Sequence, residues 1–257
     1  MRVTSIQLGR NDWTKQEAVD HVLGLLDKAP PSDLLILPEI WATGFFCFDR
    51  YQSEAEPVDG ALVQTFKAKA AGLGCHILMG SFIEKNENGL FNTCLLLDPS
   101  GSVIAKYSKI HLFGFESQER DLLTPGEGVT VADTPWGKAG LATCYDLRFP
   151  EQFRKMIDLG AQFFLIVSAW PLVRLEAWTL FNRTRAHENL SFLISCNCAG
   201  TDADSAYAGN SMIIEPLGQV LAQGDEKENI ITAEIDLDQV SSVRKNFSAL
   251  HDRVEIT

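Results

Sequence analysis

Residues 140–151 read GLATCYDLRFPE, and the rest of the sequence is best interpreted outward from them. The first half predicts a buried β-strand and the second half the start of a helix, so the chain turns abruptly at Cys144. A cysteine at such a turn projects its sulfur into a cleft, and the next backbone N–H, that of Tyr145, faces the same space. Taken alone, however, a cysteine is more often a buried structural thiol.

Two further polar residues stand where apolar segments end. Glu39 follows LLILP, and Lys109 follows VIAKYS. Because ligands of α/β sheets bind beyond the carboxyl ends of strands, Glu39, Lys109 and Cys144 are predicted to share one crevice. The apolar LPEIWATGFF segment favours Glu39 as a proton acceptor, and an ammonium from Lys109 is expected to lower the thiol pKa below the free value of about 8.5. Singly, either residue could be a solvated surface charge.

Strand-like and helix-like segments alternate along the chain. Residues 3–8, 14–28 and 34–37 predict a βαβ unit, with Thr14 as the N-cap of its helix. A hairpin across residues 98–101 requires the sheet to be mixed. Further helices are predicted at 61–71, 150–159 and 172–189, and further strands at 140–143, 163–167, 192–196, 211–215, 218–222 and 230–235. No linker or repeat divides the chain, which predicts one α/β domain over residues 1–257.

Composition excludes several classes of function. The net charge of −12 disfavours binding to nucleic acid, which depends on clustered Lys and Arg. No segment is apolar enough to span a membrane and no signal peptide is apparent, so a cytoplasmic protein with free thiols is expected. The histidines and cysteines lack metal-ligand spacing, and TDADSAYAGN at 201–210 lacks the later residues of a calcium loop. We therefore expect no metal.

Three motifs resemble those of the nitrilase (carbon-nitrogen hydrolase) superfamily in order and spacing: LPEIWATGF, YSKIHLF and GLATCYDLRFPE. Similarity in SAWPLVRLEAW, NRTRAHENLSFLISCN and YAGNSMIIEPLGQVL extends the resemblance over essentially the whole chain. It implies a four-layer α-β-β-α sandwich, no cofactor, and a homodimer or larger homo-oligomer. The order of elements alone is also compatible with a doubly wound single sheet.

The resemblance also implies cleavage of a carbon–nitrogen bond. Glu39 accepts the thiol proton and Cys144 attacks the amide carbon, which leaves a thioester that water hydrolyses. Lys109 and the N–H of Tyr145 stabilise the oxyanion. A second glutamate is expected after the lysine, and Glu119 fits the spacing before the Pro-Gly turn better than Glu116 does.

The sequence most resembles the branch of omega-amidases and Nit-type amidases, which implies a small amide substrate with a distal carboxylate, such as 2-oxoglutaramate or 2-oxosuccinamate. Arg174 is the candidate partner of that carboxylate, although a helix-surface arginine is an equal possibility. Trp170 and Phe45 could wall the pocket or belong to the core. Arg148 is expected to brace structure. The alternatives are an N-carbamoyl amidohydrolase, a deaminated glutathione amidase, and an inactive scaffold of the same fold.

Overall fold

The apolar segments of the sequence form two central sheets, seen in a computed structural model that describes residues 1–254. The strands are β1 (Arg2–Gln7), β2 (Gly9–Asn11), β3 (Leu34–Ile36), β4 (His76–Asn86), β5 (Gly89–Leu97), β6 (Val103–Ser108), β7 (Thr130–Thr134), β8 (Gly137–Thr143), β9 (Phe163–Ser168), β10 (Phe192–Asn197), β11 (Ala199–Asp202), β12 (Ser205–Ala206), β13 (Met212–Ile214), β14 (Val220–Gln223) and β15 (Asn229–Glu234). The helices are α1 (Lys15–Lys28), α2 (Tyr51–Glu54), α3 (Ala61–Leu73), α4 (Glu119–Leu122), α5 (Pro150–Asp158), α6 (Leu175–Asn189) and α7 (Asp238–Asn246). Short 3₁₀ helices occupy Phe48–Arg50, Cys144–Arg148, Leu172–Arg174 and Ser248–Leu250.

Each of the two large sheets has six strands and is mixed. The first has the order β15-β1-β3-β4-β5-β6, and the second has the order β14-β13-β10-β9-β8-β7. Strands β1, β3 and β4 are parallel neighbours, as are β8, β9 and β10. The predicted hairpin is the antiparallel pair β5–β6. A small third sheet, β12-β11-β2, lies beside them.

Side-chain alternation along the strands shows how the sheets are stacked. In β3, Ile36 enters the apolar layer between the two sheets, whereas Leu35 belongs to the layer beneath α1 and α3. In β9, Leu165 lies between the sheets and Ile166 packs with α5 and α6. Because both faces of each sheet are covered, these strands are continuous apolar runs. The fold is the four-layer α-β-β-α sandwich that the resemblance implied, and the single-sheet alternative is wrong.

Three local details refine the sequence-based boundaries. Thr14 is the N-cap of α1, as predicted, and the structure adds a capping box with Glu17. Helix α3 continues through Gly72 and ends at Gly74, whose φ of +64° suits a left-handed C-cap. The segment predicted as a helix from residue 172 begins as a 3₁₀ turn and becomes α-helical only at Leu175. Among residues 1–254, no helix has the length and apolar character needed to cross a bilayer.

Candidate active site

Three strand ends bring Glu39, Lys109 and Cys144 together. Glu39 follows β3 and Lys109 follows β6 in the first sheet, and Cys144 follows β8 in the second. Strands β3 and β6 run in the same direction, so their carboxyl ends lie at the same edge. Glu39 and Lys109 are fully buried, and Cys144, which is 7% exposed, has both of them as neighbours. The crevice predicted from the strand ends therefore exists.

Lys109 is held between two carboxylates. Its Nζ lies 2.9 Å from Glu39 Oε1 and 2.9 Å from each carboxylate oxygen of Glu119. Burial lowers the pKa of Lys109, but the charges of Glu119 and Glu39 outweigh it and the pKa is raised. The lysine therefore remains an ammonium, which can donate to an oxyanion but cannot act as a base.

Glu119, rather than Glu116, is the second glutamate of the crevice. It is the first residue of α4, is fully buried, and accepts a 2.7 Å hydrogen bond from the backbone N–H of Phe113. Glu116 is exposed at a residue with a φ of +53°. Burial and the charge of Glu39 raise the pKa of Glu119, and Lys109 opposes the rise. The cluster of Glu39, Lys109 and Glu119 carries one net negative charge when all three are ionised.

The turn at Cys144 is strained, and hydrogen bonds to the side chain of Asp146 stabilise it. Cys144 has a φ of +47°, a region that a residue with a β-carbon adopts at a cost, and such strain is typical of functional sites. Asp146 braces the turn by accepting from the N–H of Thr143 at 2.8 Å and from the Tyr107 hydroxyl at 2.6 Å, and it lies 2.8 Å from His111 Nδ1. Sequence analysis assigned no role to Asp146 or His111, although both lie within the family motifs.

The segment after Cys144 is a 3₁₀ helix, Cys144–Arg148, and α5 begins only at Pro150. The first N–H groups of such a turn have no partner within it, so the N–H of Tyr145 has none there. It lies directly after the nucleophile candidate, as the oxyanion interpretation requires.

The expectation of a lowered thiol pKa is wrong. Burial and the neighbouring Glu39 carboxylate raise the pKa of Cys144 well above its ordinary value, and Lys109 and Ser168 offset this only in part. The reason is that the cost of burying a thiolate, together with the charge of Glu39, exceeds the stabilisation by Lys109. The resting thiol is therefore protonated, and it can become a nucleophile only by passing its proton to a neighbour.

A narrow cleft, with a free volume of about 20 Å³, lies over Cys144. Its lining consists of Phe45, Phe113, Cys144, Tyr145, Arg148, Trp170 and Arg174. The Phe45 ring centre lies 5.4 Å from Lys109 Nζ, and Trp170 Nε1 donates to the Arg174 carbonyl at 2.8 Å. Phe45, Trp170 and Arg174, the three substrate-contact candidates, thus all border the cleft.

Two arginines of this cleft rest on aromatic faces. The guanidinium carbon of Arg148 lies 5.4 Å from the Trp170 ring centre and 5.0 Å from that of Phe181. Arg174 lies 5.2 Å from the ring centre of Phe113. Within residues 1–254 neither guanidinium forms an ion pair. Arg148, which was expected to brace structure, packs on these rings and also borders the cleft.

The acidic segment TDADSAYAGN has a structural use. Asp202 forms a fully buried ion pair with Arg10 at 2.9 Å and accepts from the Tyr207 hydroxyl at 2.8 Å. Arg10 also donates to the Trp41 carbonyl at 2.7 Å, which ties this pair to the loop after Glu39. In the described part of the chain, no group of three or more His, Cys, Asp or Glu side chains could hold a metal ion.

Comparison with known proteins supports this fold and the family that the motifs indicated. A family model described as carbon-nitrogen hydrolase matches residues 2–245, and the chain belongs to that family, as its motifs predicted. A 2-oxoglutaramate amidase from Bacillus subtilis (strain 168) is 37% identical over 222 residues, which are 86% of this chain and 85% of that protein. Another, from Paenarthrobacter nicotinovorans, is 33% identical over 246 residues, 93% of this chain and 84% of that protein.

A solved structure extends this similarity to three dimensions. A CN-hydrolase superfamily protein from Xanthomonas campestris superposes with a TM-score of 0.93 at 32% identity, and the match covers 100% of this chain and 98% of that one. That structure holds an arsenic adduct in its active site.

Proposed function

We propose that this protein is an omega-amidase, which hydrolyses the amide of a short carboxylate-bearing compound such as 2-oxoglutaramate or 2-oxosuccinamate to the acid and ammonia. One observation carries the proposal: a buried cysteine, next to a buried glutamate and lysine, borders a small cleft with two arginines that form no ion pair within residues 1–254. The relatives named 2-oxoglutaramate amidase support the same substrate class.

In the first step, Glu39 takes the proton of the Cys144 thiol as the sulfur bonds to the amide carbon. Because the resting thiol is neutral, proton transfer and attack occur together. The electron pair of the carbonyl moves to its oxygen, which accepts hydrogen bonds from the Lys109 ammonium and the Tyr145 N–H. Glu119 keeps the ammonium aligned through two 2.9 Å contacts.

In the second step, the carbon–nitrogen bond breaks and Glu39 returns its proton to the departing nitrogen, so ammonia leaves and a thioester remains. Glu39 then takes a proton from water, whose oxygen attacks the thioester carbon. The carbon–sulfur bond breaks, the sulfur regains a proton from Glu39, and the carboxylic acid is released. Protein groups supply every proton transfer in this cycle.

The arginines select the substrate. Arg174 and Arg148 bind the distal carboxylate by charge-assisted hydrogen bonds, which a guanidinium can form in pairs. Trp170 and Phe45 line the same cleft and pack on the short carbon chain.

Ammonia release by the purified protein tests the proposal. The panel contains 2-oxoglutaramate, 2-oxosuccinamate, deaminated glutathione, glutamine and N-carbamoyl amino acids. We expect turnover of an oxo-acid amide, and a loss of at least about 10⁴-fold in Cys144→Ala. The matched control is Cys75→Ala, which removes another buried thiol and keeps the activity.

Three other outcomes would contradict the assignment. Cleavage of only N-carbamoyl compounds, with release of carbon dioxide, would identify an N-carbamoyl amidohydrolase. Turnover of only deaminated glutathione would identify an amidase of that substrate. No turnover, with Cys144 inert to alkylation, would favour an inactive scaffold.

We further propose that the enzyme is cytoplasmic and assembles as a homodimer or larger homo-oligomer. All six cysteines are free thiols, which suits a reducing compartment. Leu180 on α6 is 61% exposed and Leu217 is 52% exposed. Exposed apolar residues of this kind are typical of a surface that another subunit covers in an assembly. Light scattering during size-exclusion chromatography measures the assembly, and a monomer at micromolar concentration would contradict it.

A further inference from the structure

One buried asparagine contacts all three residues of the cluster formed by Glu39, Lys109 and Glu119. Asn92 lies in β5 and is fully buried. Its side-chain nitrogen donates to Glu39 Oε1 at 2.8 Å and to Glu119 Oε1 at 3.0 Å. Its backbone carbonyl accepts the N–H of Lys109 at 2.9 Å. The sequence identified this residue only as part of a strand.

Two carboxylates this close have an alternative arrangement in which they share one proton, because like charges in a buried site disfavour double ionisation. Lys109 and Asn92 both stand between the same two oxygens, Glu39 Oε1 and Glu119 Oε1. The amide hydrogens favour the ionised forms, because a carboxylate accepts hydrogen bonds more strongly than a protonated carboxyl group does, and they add no charge to the cluster.

The orientation of the amide is set by these two bonds. The side-chain oxygen of Asn92 is buried and finds no hydrogen-bond partner within residues 1–254. A buried polar atom without a partner is costly and is retained where another requirement dominates. Reversing the amide would point its oxygen at two carboxylates, so donation to Glu39 and Glu119 outweighs satisfaction of the oxygen.

We propose that Asn92 is a positioning residue that keeps Glu39 and Glu119 both ionised, so that Glu39 is free to take the thiol proton. The inference rests on the proposed function for the role of Glu39. Without the amide donors, a proton binds to the pair of Glu39 and Glu119 more readily. As the pH is lowered, the variant therefore loses activity at a higher pH than the wild type does.

The titratable groups that face Glu39 could also contribute to the acidic limb of the activity profile. They are the side chains of Lys109, Glu119, Cys144, Tyr51 and Cys198. Burial raises the pKa of the phenol and of both thiols, so these three stay neutral in the acidic range, and Lys109 stays charged. The acidic limb of the activity profile therefore reports the two carboxylates.

The test compares Asn92→Ala with the wild type over a range of pH in two assays. The first is kcat/KM on an amide that the wild type hydrolyses. The second needs no substrate: the rate of Cys144 alkylation by iodoacetamide, followed by mass spectrometry. In both assays we expect the acidic limb to move to higher pH by about one unit, the size set by losing a hydrogen bond to a charged group.

Thr93→Val is the matched control, because Thr93 is the next residue of the same strand and its buried hydroxyl donates to Glu84 at 2.7 Å, away from the cluster. It should leave the acidic limb unmoved. If Asn92→Ala does not fold, Asn92→Ser retains one donor and should give a smaller shift in the same direction.

A uniform loss of rate at every pH in Asn92→Ala would overturn the inference and leave Asn92 a merely structural residue. If Asn92→Ala does not fold and Asn92→Ser is measured instead, an acidic limb that does not shift would also overturn the inference. If no oxo-acid amide is hydrolysed but the alkylation limb moves, the proposed substrate class fails and the role of Asn92 stands.

Discussion

The site has an inner end, the buried cluster beside Cys144, and an outer wall, the lining of the cleft that Cys144 borders, and these two parts treat charge in opposite ways. At the inner end, Glu39, Lys109 and Glu119 are fully buried and joined by contacts of 2.9 Å. At the outer wall, Arg148 and Arg174 lie on aromatic rings, and neither has an acidic partner in the described chain. A buried charge must be paired, whereas a partly exposed arginine can remain unpaired until it binds a ligand.

This difference separates two tasks. Charges that are already paired and hydrogen-bonded are preorganised, so they can act on the reacting atoms without reorganising during the reaction. Unpaired charges of one sign provide affinity for an anion and do little to the chemistry itself. Changes at the inner end should therefore affect every substrate, and changes at the outer wall should affect only substrates that carry a carboxylate.

Among substitutions of the charged residues, Glu39→Gln should have the largest effect. Removing the proposed general base is expected to lower kcat by up to about 10⁴-fold, because Glu39 moves a proton in both halves of the proposed reaction. The same substitution removes a negative charge that raises the pKa of Cys144, so that pKa should fall. The ultraviolet absorbance of the thiolate, taken as the difference from the double variant with Cys144→Ala, should then rise at a lower pH.

A more ionised thiol with less activity would show that proton transfer, rather than thiolate content, limits this enzyme. Wild-type protein whose Cys144 is already a thiolate at neutral pH would contradict both the raised pKa and the concerted first step.

Lys109→Met comes next. The loss of one oxyanion donor should lower kcat by about 10²- to 10³-fold. Glu39 and Glu119 would also lose their cation in a buried site, so the melting temperature should fall, and more at neutral than at acidic pH. Lys106→Met, at a partly exposed lysine paired with Glu84, is the control for removal of a charge and should keep kcat. A Lys109→Met variant with more than about a tenth of the wild-type kcat would contradict the oxyanion role.

Arg148→Met and Arg174→Met should give the smallest and most selective losses. Each is expected to lower kcat/KM for 2-oxoglutaramate by about 10- to 100-fold, the value of a charge-assisted hydrogen bond. Pentanamide, which has the same chain length and no carboxylate, is the matched substrate and should lose little. Equal losses on both amides would mean that the arginines brace the cleft and do not recognise the carboxylate.

Much of the fold was accessible from local patterns. Several predicted elements lie close to those observed. They rest on the N-cap at Thr14, on the turn at residues 98–101 and on the continuous apolar runs of β3 and β9. Whether these strands formed one sheet or two depends on which strands share hydrogen bonds, and strands distant in sequence decide that. Strand β15, near the end of the chain, pairs with β1 at its beginning.

For the site, sequence analysis named the residues that meet, since Glu39, Lys109 and Cys144 each follow a recognisable strand. It failed on the thiol pKa because that depends first on burial and then on the sum of the neighbouring charges, and a motif shows neither. It also assigned nothing to Asn92, whose importance comes from standing between two carboxylates that are 53 and 27 residues away in the chain. Residue identity was thus determined by the sequence, whereas the balance of charge was decided only by tertiary structure, because electrostatic energies depend on distance and burial in three dimensions.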